Sequence, residues 1–239
     1  SGMINKKLTI LGSTGSIGLN TLDVVRASSH FEVFALSANT NADLLLAQCL
    51  EFNPQIAVLA DESQADEFLE RLSNSDCDTE LRVGINALDE IAMDPAVDIV
   101  MAGIVGSAGL SSSLAAVESG KRILLANKEA LVMMGALFMQ MAKKTGSIII
   151  PIDSEHNAIF QCLPDAGLGV KDEQFKYVKK IILTASGGPF LDLPISKFQE
   201  VTPEQACAHP KWKMGKKISV DSATMMNKGL EIIEAHYLF

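Results

Sequence analysis

Three features of the first 150 residues predict an α/β fold, with a parallel sheet covered by helices on both faces. Short apolar runs alternate with segments of helical spacing along this whole stretch. A glycine-rich turn at residues 12–18 stands between the first apolar run and the first helical segment. No internal repeat or low-complexity segment interrupts the alternation. Strands that alternate with helices lie parallel, because each helix returns the chain to the same end of the sheet.

Each predicted strand is a short apolar run of the kind that is buried on both faces of a parallel sheet. The predicted strands are residues 7–11, 32–36, 55–59, 80–83, 97–101, 122–125 and 147–150. Between them, apolar residues recur at helical spacing, as Ile17, Leu22 and Val25 do in the first segment. The predicted helices are residues 17–26, 42–51, 62–72 and 111–119. Together these elements predict a Rossmann-like domain over residues 1–150.

The pattern changes after Pro151, and we expect residues 151–239 to form an incomplete α+β unit. The predicted elements are a helix over 155–163, a strand over 177–184 and a helix over 225–239. Glycine and proline punctuate residues 186–215, and a structureless segment of this length is typical of an active-site lid. The last helix ends without a glycine cap, a proline or a polar tail, from which we expect the chain to be a fragment.

Composition indicates a globular protein and argues against two classes of partner. Hydrophobic residues make up 48% and charged residues 21% of the 239 residues, which suffices for a buried core. The net charge of −9 argues against nonspecific nucleic-acid binding, which needs a basic face. No apolar run approaches the roughly 20 residues of a membrane helix. Residues 151–239 carry 10 lysines against 11 acids, so this part repels an anionic ligand less than the first part.

The four cysteines are widely spaced and form no Cys-x-x-Cys pair, so neither zinc nor a disulfide is indicated. We expect reduced, mostly buried thiols in a cytoplasmic protein. They are Cys49, Cys77, Cys162 and Cys207.

The glycine turn at residues 12–18 is placed where a nucleotide-binding turn belongs, after a strand and before a helix. Glycines there let backbone N–H groups approach a pyrophosphate at the helix N-terminus, although a purely structural turn is the alternative. Residues 37–41, after the second strand, contain no acid to bind the ribose 2′-hydroxyl of NAD. This absence favours NADP, although no arginine or lysine is present there to bind its 2′-phosphate.

Two acidic residues after the last strand, Asp153 and Glu155, are candidate ligands of a hard divalent cation. If the chain is extended there, both carboxylates leave on one face, and oxygen ligands suit Mg²⁺ or Mn²⁺. Alternatively, Asp153 or Ser154 caps the following helix. We expect the neighbouring His156 to lie on the helix surface rather than to bind zinc.

A second candidate group lies near the end of the chain, where Asn227, Lys228 and Glu231 fall within about one helical turn. Amide and ammonium donors can bind phosphate oxygens while the carboxylate binds a metal nearby. A solvated Lys–Glu pair is the alternative. Upstream, the lysine-rich residues 209–217 surround Trp212 and could cover an anionic ligand, or could simply be a solvated charged loop.

These segments together resemble the 1-deoxy-D-xylulose 5-phosphate reductoisomerase family. The matching strings are LTILGSTGSIG, ILLANKEALV, DSEHNAIFQCL, SGGPF, HPKWKMG and ISVDSATMMNKGLEIIEAHYLF, in the family's order. The resemblance implies an NADPH-binding domain over residues 1–150, a catalytic and connective domain over 151–239, and the absence of a carboxy-terminal helical domain. One departure is Asn39-Thr40, where many members have Gly-Lys.

The resemblance also implies a set of site residues. The metal ligands, for Mg²⁺ or Mn²⁺, would be Asp153, Glu155 and Glu231. Substrate contacts would be Lys128, Ser154, Glu155, Ser186, His209, Ser222, Asn227, Lys228 and Glu231, with catalytic roles for Lys128, Ser154, Glu155 and His209. NADPH contacts would be Thr14, Gly15, Ser16, Ile17, Asn41, Asn127, Glu129 and Gly215.

The implied activity is the rearrangement of a phosphorylated ketose, followed by reduction with NADPH to 2-C-methyl-D-erythritol 4-phosphate in a cytoplasmic homodimer. A cation would stabilise developing enolate charge, and the phosphate contacts would orient the substrate. A short-chain dehydrogenase would need Tyr-x-x-x-Lys, whereas Tyr177 is followed by Lys179 and Lys180. An NADP-binding fragment, or another NADP-dependent oxidoreductase, is the alternative. We expect this chain alone to bind NADPH but to turn over weakly or not at all.

Overall fold

The computed structural model describes residues 5–164, 172–208 and 215–239 and contains one seven-stranded sheet. Its strands are β1 (Lys6–Leu11), β2 (Phe31–Ala38), β3 (Ile56–Leu59), β4 (Glu80–Val83), β5 (Ile99–Ala102), β6 (Arg122–Leu125) and β7 (Ile148–Pro151). All six pairings are parallel, and the order across the sheet is β4-β3-β2-β1-β5-β6-β7. The predicted parallel α/β sheet is confirmed.

Helices connect the strands and continue beyond them. They are α1 (Ser16–Arg26), α2 (Ala42–Phe52), α3 (Ala65–Ser73), α4 (Asn86–Met93), α5 (Leu110–Glu118), α6 (Lys128–Thr145), α7 (Ser154–Cys162), α8 (Pro203–Cys207), α9 (Lys216–Ala223) and α10 (Met226–Leu238). Short 3₁₀ helices occur at Glu62–Gln64, Ser107–Gly109, Asp172–Tyr177 and Ile195–Glu200. Helices α4, α6, α8 and α9 were not predicted. In helix α6, residues 130–139 are all apolar except Gly135, and its charged residues lie only in the first and last turns, so the middle of the helix has no amphipathic signature.

The core lies on both faces of the sheet, because successive strand residues point to opposite sides. In β1, Leu8 and Ile10 join a cluster with Leu22 of α1 and Leu45 of α2. Leu11 joins the opposite cluster, which α4, α5 and α6 cover. Burial of this kind stabilises by about 25 cal/mol per Å² of apolar surface removed from water.

Three predictions about local structure are wrong. The predicted strand over 177–184 does not form. Tyr177 ends the 3₁₀ helix Asp172–Tyr177, and residues 178–184 have no hydrogen-bonded neighbour strand in the described chain. The supposedly structureless residues 186–215 contain the helix Ile195–Glu200 and α8 in their described part. Helix α8 is nucleated by a capping box between Thr202 and Gln205. Among the cysteines, Cys49 is buried but Cys162 is exposed.

None of the helices in the described ranges is both long enough and apolar enough to cross a membrane.

Candidate functional site

The candidate site lies at the carboxyl end of the sheet, where the loops after β1, β5, β6 and β7 leave the same edge. The chain order reverses at β1, which has β2 on one side and β5 on the other. In an open parallel sheet, ligands bind in the crevice that opens at such a reversal. The glycine turn follows β1 there, and Asn127 and Asp153 follow β6 and β7.

The glycine turn has a backbone path that side chains would block. Gly12 has a positive φ of 75°, which favours glycine. A Cβ on Gly18 would lie 2.4 Å from both the carbonyl oxygen of Gly12 and the Cα of Ser13. Helix α1 follows with Gly15 at its N-cap and no side-chain cap bond, so its first N–H groups remain available to an anion. The predicted pyrophosphate contacts, Thr14, Gly15, Ser16 and Ile17, lie at this corner.

A buried polar network, which the sequence did not reveal, holds this turn against β2 and α2. The Ser13 hydroxyl donates to Gln48 Oε1 at 2.6 Å, and Gln48 Nε2 donates to the Ser13 carbonyl at 2.9 Å. The backbone N–H of Gly12 donates to Ser37 Oγ at 2.9 Å. Because each of these buried groups is paired, the network makes the turn rigid.

The adenosine end of the predicted cofactor site is an exposed loop at the start of α2. Asn41 is the N-cap of that helix, and its Oδ1 accepts from the Leu44 N–H at 3.2 Å. Asn39 and Thr40 beside it are exposed. The predicted contact Asn41 therefore already has a structural role as a helix cap.

The start of α6 brings three predicted residues to the same edge. Asn127, its N-cap, is buried, and its Nδ2 donates to the Gly106 carbonyl at 2.7 Å. Its Oδ1 is buried without a hydrogen-bond partner among the described residues, which fits a cofactor amide or hydroxyl donor. Glu129 pairs with Lys217 at 2.9 Å. Burial opposes the charge of Glu129, but Lys217 outweighs it, so the pKa of that carboxyl is lowered. Gly215 is the exposed N-cap of α9.

The three predicted metal ligands converge. One carboxylate oxygen from each of Asp153, Glu155 and Glu231 can be chosen such that all lie within 4.8 Å of one another. Glu231 is fully buried, whereas Asp153 and Glu155 are partly exposed, so the group opens to solvent on one side. This all-oxygen donor set fits Mg²⁺ or Mn²⁺.

Asp153 and Glu155 converge for a different reason from the predicted one, which was an extended chain with both side chains on one face. The helix α7 begins at Ser154, directly after Asp153, so Glu155 lies in its first turn. Asp153 occupies the N-cap position, but its side chain makes no cap hydrogen bond and points into the carboxylate group instead. The alternative of an Asp153 cap is therefore wrong. Ser154 donates from Oγ to Glu155 Oε2 at 2.6 Å.

Two lysines lie among these carboxylates. Lys128 Nζ is 2.6 Å from Asp153 Oδ2 and 3.5 Å from Glu231 Oε1, and it donates to Asn227 Oδ1 at 2.7 Å. Burial acts against the charge of Lys128, but these acids outweigh it and raise its pKa. Lys228 contacts Glu231 directly and lies 3.5 Å from Glu155 Oε1. The two ammonium groups offset two of three negative charges, which leaves an excess for a cation.

The predicted phosphate contacts cluster beside this group. Lys228 Nζ donates to the Thr184 carbonyl, and Asn227 Nδ2 donates to Glu231 Oε1 at 2.6 Å, as the i, i+4 spacing predicted. A Cβ on Gly188 would lie 2.7 Å from the Ser222 carbonyl oxygen, so the turn that carries Ser186 lies against the end of α9. His209 lies outside the described residues.

His156 is buried, so the prediction that it lies on the helix surface is wrong. Its Nε2 is 2.8 Å from the Glu231 carbonyl oxygen, so that nitrogen must carry a proton and donate it. Its Nδ1 faces Glu234 Oε2 at 3.3 Å. Burial, reinforced by Asp153, raises the pKa of Glu234 to about 8. The side chain is therefore mostly protonated at neutral pH and adds little negative charge behind the site.

Glu234 was not predicted as part of this cluster. A signal existed, because Glu231 and Glu234 stand three residues apart on one helix and therefore share a face. Asp153, His156 and Glu234 also have ligand atoms within 4.8 Å of one another, although His156 and Glu234 are closed to solvent. A substrate could reach the Asp153, Glu155 and Glu231 group more directly.

Comparisons with known proteins give one result over nearly the whole chain. The family model described as 1-deoxy-D-xylulose 5-phosphate reductoisomerase matches residues 8–135. The model of the C-terminal domain of the same family matches residues 149–239.

Curated relatives and solved structures agree. The 1-deoxy-D-xylulose 5-phosphate reductoisomerase of Saccharophagus degradans is 56% identical over 237 residues, which cover 98% of this chain and 59% of that protein. The protein of the same name from Pseudomonas syringae pv. tomato is 58% identical over 97% of this chain and 58% of its own length. This chain thus spans less than two thirds of the relatives' length.

A crystal structure of DOX-P reductoisomerase in complex with NADPH, fosmidomycin and magnesium superposes with a TM-score of 0.88 at 49% identity. The match covers 98% of this chain and 58% of that one. The Zymomonas mobilis enzyme in complex with NADPH gives the same TM-score at 44% identity, over 98% of this chain and 58% of its own.

Proposed function

We propose a function for the whole protein from one premise, that this chain belongs to the 1-deoxy-D-xylulose 5-phosphate reductoisomerase family. The proposed reaction converts 1-deoxy-D-xylulose 5-phosphate to 2-C-methyl-D-erythritol 4-phosphate at the expense of NADPH, in isoprenoid precursor biosynthesis. The observation that supports it most is the convergence of Asp153, Glu155 and Glu231 within 4.8 Å at the edge that also carries the glycine turn. A carbon-skeleton rearrangement coupled to reduction needs a cation site and a nicotinamide site side by side.

The proposed assignment gives each part of the chain a task. Residues 1–150 would bind NADPH, and residues 151–239 would bind the cation and the substrate. Asp153, Glu155 and Glu231 would hold the cation, and the buried Oδ1 of Asn127 would accept a hydrogen bond from the cofactor. When bound, the cation polarises the substrate's carbonyl and hydroxyl oxygens, and NADPH supplies the two reducing electrons.

The remaining steps belong to the chain's own side chains. Lys228, Asn227, Ser186 and Ser222 would bind the substrate phosphate and so orient the molecule at a distance from the reacting carbons. Lys128, held between Asp153 and Asn227, presents a positive charge where negative charge develops on substrate oxygen during carbon–carbon cleavage. Ser154, whose hydroxyl donates to Glu155 in this structure, would turn that hydrogen bond toward the substrate. Closure of residues 186–215 over the site would exclude water.

The family membership also supports a cytoplasmic homodimer as the working form of the whole protein. Its substrate is a small phosphorylated sugar, and nothing in the described surface calls for a nucleic-acid partner, since the net charge is −9.

The proposed function predicts that the whole protein consumes NADPH only when both the sugar phosphate and a divalent cation are present. EDTA should stop the reaction, and Mg²⁺ or Mn²⁺ should restore it, because the three carboxylates supply oxygen ligands without a histidine or cysteine. The measurement is the loss of NADPH absorbance, with inorganic phosphate in place of the sugar phosphate as the control. NADPH consumption that persists unchanged in EDTA would show that the carboxylates do not serve a metal.

A further inference from the structure

Helices α6 and α10 pack against each other and make contact at two levels. At the first level, Lys128 at the start of α6 meets Asn227 and Glu231. At the second, Gly135 of α6 lies under the ring of Tyr237. The two levels are seven residues apart on α6, which is about 10 Å of helix. The first level belongs to the candidate site, whereas the second lies outside it.

At the second level, only glycine fits under the Tyr237 ring where that ring lies in this structure. A Cβ there would lie 2.2 Å from Tyr237 Cδ2 and 2.4 Å from Cγ, far closer than two carbon atoms can approach. A glycine inside a helix costs about 1 kcal/mol relative to alanine, so the close approach of the ring has to offset that cost. The preceding residue, Met134, departs from helical geometry with φ −138° and ψ 27°. Helix α6 therefore bends next to Gly135, where the Tyr237 ring packs.

The end of α10 is fixed on a second side by α7. The Phe239 ring stacks on the His156 ring with centroids 6.3 Å apart, and the neighbouring Leu238 is buried. His156 also donates to the carbonyl of Glu231, which lies about two turns before Phe239 on α10. Because α10 is rigid, a shift at Tyr237 moves the whole helix along its axis. Fixing the end of α10 therefore also fixes the positions of Glu231 and Asn227.

We propose that Gly135 and Tyr237 form a positioning contact, which sets the spacing of α6 from α10 and thereby the distances from Lys128 to Glu231 and Asn227. Among the described residues, neither Gly135 nor Tyr237 makes a hydrogen bond or an ion pair to the carboxylate group. The contact acts through α10, so its loss should disturb the geometry of the carboxylate group more than the glycine turn, which lies on β1 and α1. This inference rests on the proposed function only in assigning a cation to the carboxylate group.

The test uses four variants of the whole protein: Gly135→Ala, Tyr237→Ala, the double variant, and Gly229→Ala as a matched control. Gly229 lies in α10, and a Cβ added there has no atom within 4 Å, so this control makes the same chemical change without a clash. Mn²⁺ affinity is measured by the electron paramagnetic resonance signal of free Mn²⁺. NADPH affinity is measured by fluorescence, and unfolding by thermal melting.

Gly135→Ala should weaken Mn²⁺ binding about tenfold or more, since a displacement of about 1 Å at a site is costly, while NADPH affinity stays within about threefold. Tyr237→Ala introduces no clash but removes the ring that packs on Gly135, so it should weaken Mn²⁺ binding as well. The double variant should bind Mn²⁺ more tightly than Gly135→Ala, because the added methyl group no longer meets a ring. Gly229→Ala should bind Mn²⁺ as the unmodified protein does.

The outcomes distinguish a contact that positions the carboxylate group from one that only stabilises the fold. If both single variants melt at lower temperature but bind Mn²⁺ as tightly as the unmodified protein, the contact only stabilises the fold and the proposal is wrong. The same holds if the double variant binds Mn²⁺ no better than Gly135→Ala. If Gly135→Ala does not fold, Tyr237→Ala alone decides in the same way. An unmodified protein that binds no Mn²⁺ would instead overturn the proposed function.

Discussion

Replacement of Glu231 by glutamine in the whole protein is expected to lower metal-dependent kcat/KM by about a thousandfold or more, which is about 4 kcal/mol of transition-state stabilisation. Glu231 is fully buried, lies 3.5 Å from Lys128 Nζ and accepts a hydrogen bond from Asn227. Glutamine has nearly the same shape, so the helix should persist. The change removes one of three anionic ligands and leaves two lysines facing two carboxylates, so the site loses its excess negative charge.

The control for this variant is Glu70→Gln, the same substitution on an exposed helix surface far from the site in sequence. NADPH affinity should stay within a few fold in both proteins, because the glycine turn is built by other elements. The measurement is the initial rate of NADPH consumption across a Mn²⁺ titration. Turnover of Glu231→Gln at the rate of the control protein would remove Glu231 from the site.

The second large effect is expected from Gly18→Ala, which should weaken NADPH binding by about a hundredfold or more. The added Cβ would lie 2.4 Å from the Gly12 carbonyl oxygen and 2.6 Å from the carbonyl carbon of Ser13. These are backbone atoms of the turn itself and cannot rotate away, so the turn has to open. Overpacking of this kind also costs about 1–3 kcal/mol of stability.

Fluorescence titration with NADPH measures the effect, and thermal melting shows that the variant is folded. Gly229→Ala again serves as the control, because a Cβ at that position meets nothing within 4 Å. Retention of the unmodified affinity in a folded Gly18→Ala protein would show that the turn does not bind the cofactor.

The sheet could be predicted because its signals are local. Each strand is a short apolar run, and the glycine turn marks the first strand-to-helix junction. The predicted bounds of β6, residues 122–125, match the structure. Helix α6 was missed for an equally local reason, since residues 130–139 offer no alternation of polar and apolar positions and Gly135 interrupts them.

Residues 178–184 show where local signals fail. Their β-branched residues favour a strand, yet Ile182 is 66% exposed and the segment has no sheet partner within the described ranges. Strand formation depends on a neighbouring strand, often one far away in sequence, and local composition does not specify that neighbour.

The sequence indicated which carboxylates come together, but not the buried residues packed behind them. Asp153, Glu155 and Glu231 stood out through the family resemblance, and the structure brings their oxygens together. The burial of His156 and the pairing of Glu234 with it depend on how α7 packs against α10, which the sequence around either residue does not encode. Gln48 is a similar case, because its partner Ser13 lies 35 residues away.

The claim that three carboxylates share one cation is tested most directly by anomalous diffraction from crystals of the whole protein soaked in Mn²⁺. We predict a single strong peak at about 2.1 Å from one oxygen each of Asp153, Glu155 and Glu231. A peak bound instead by Asp153, His156 and Glu234, or one that touches fewer than two of the three predicted ligands, would contradict the account.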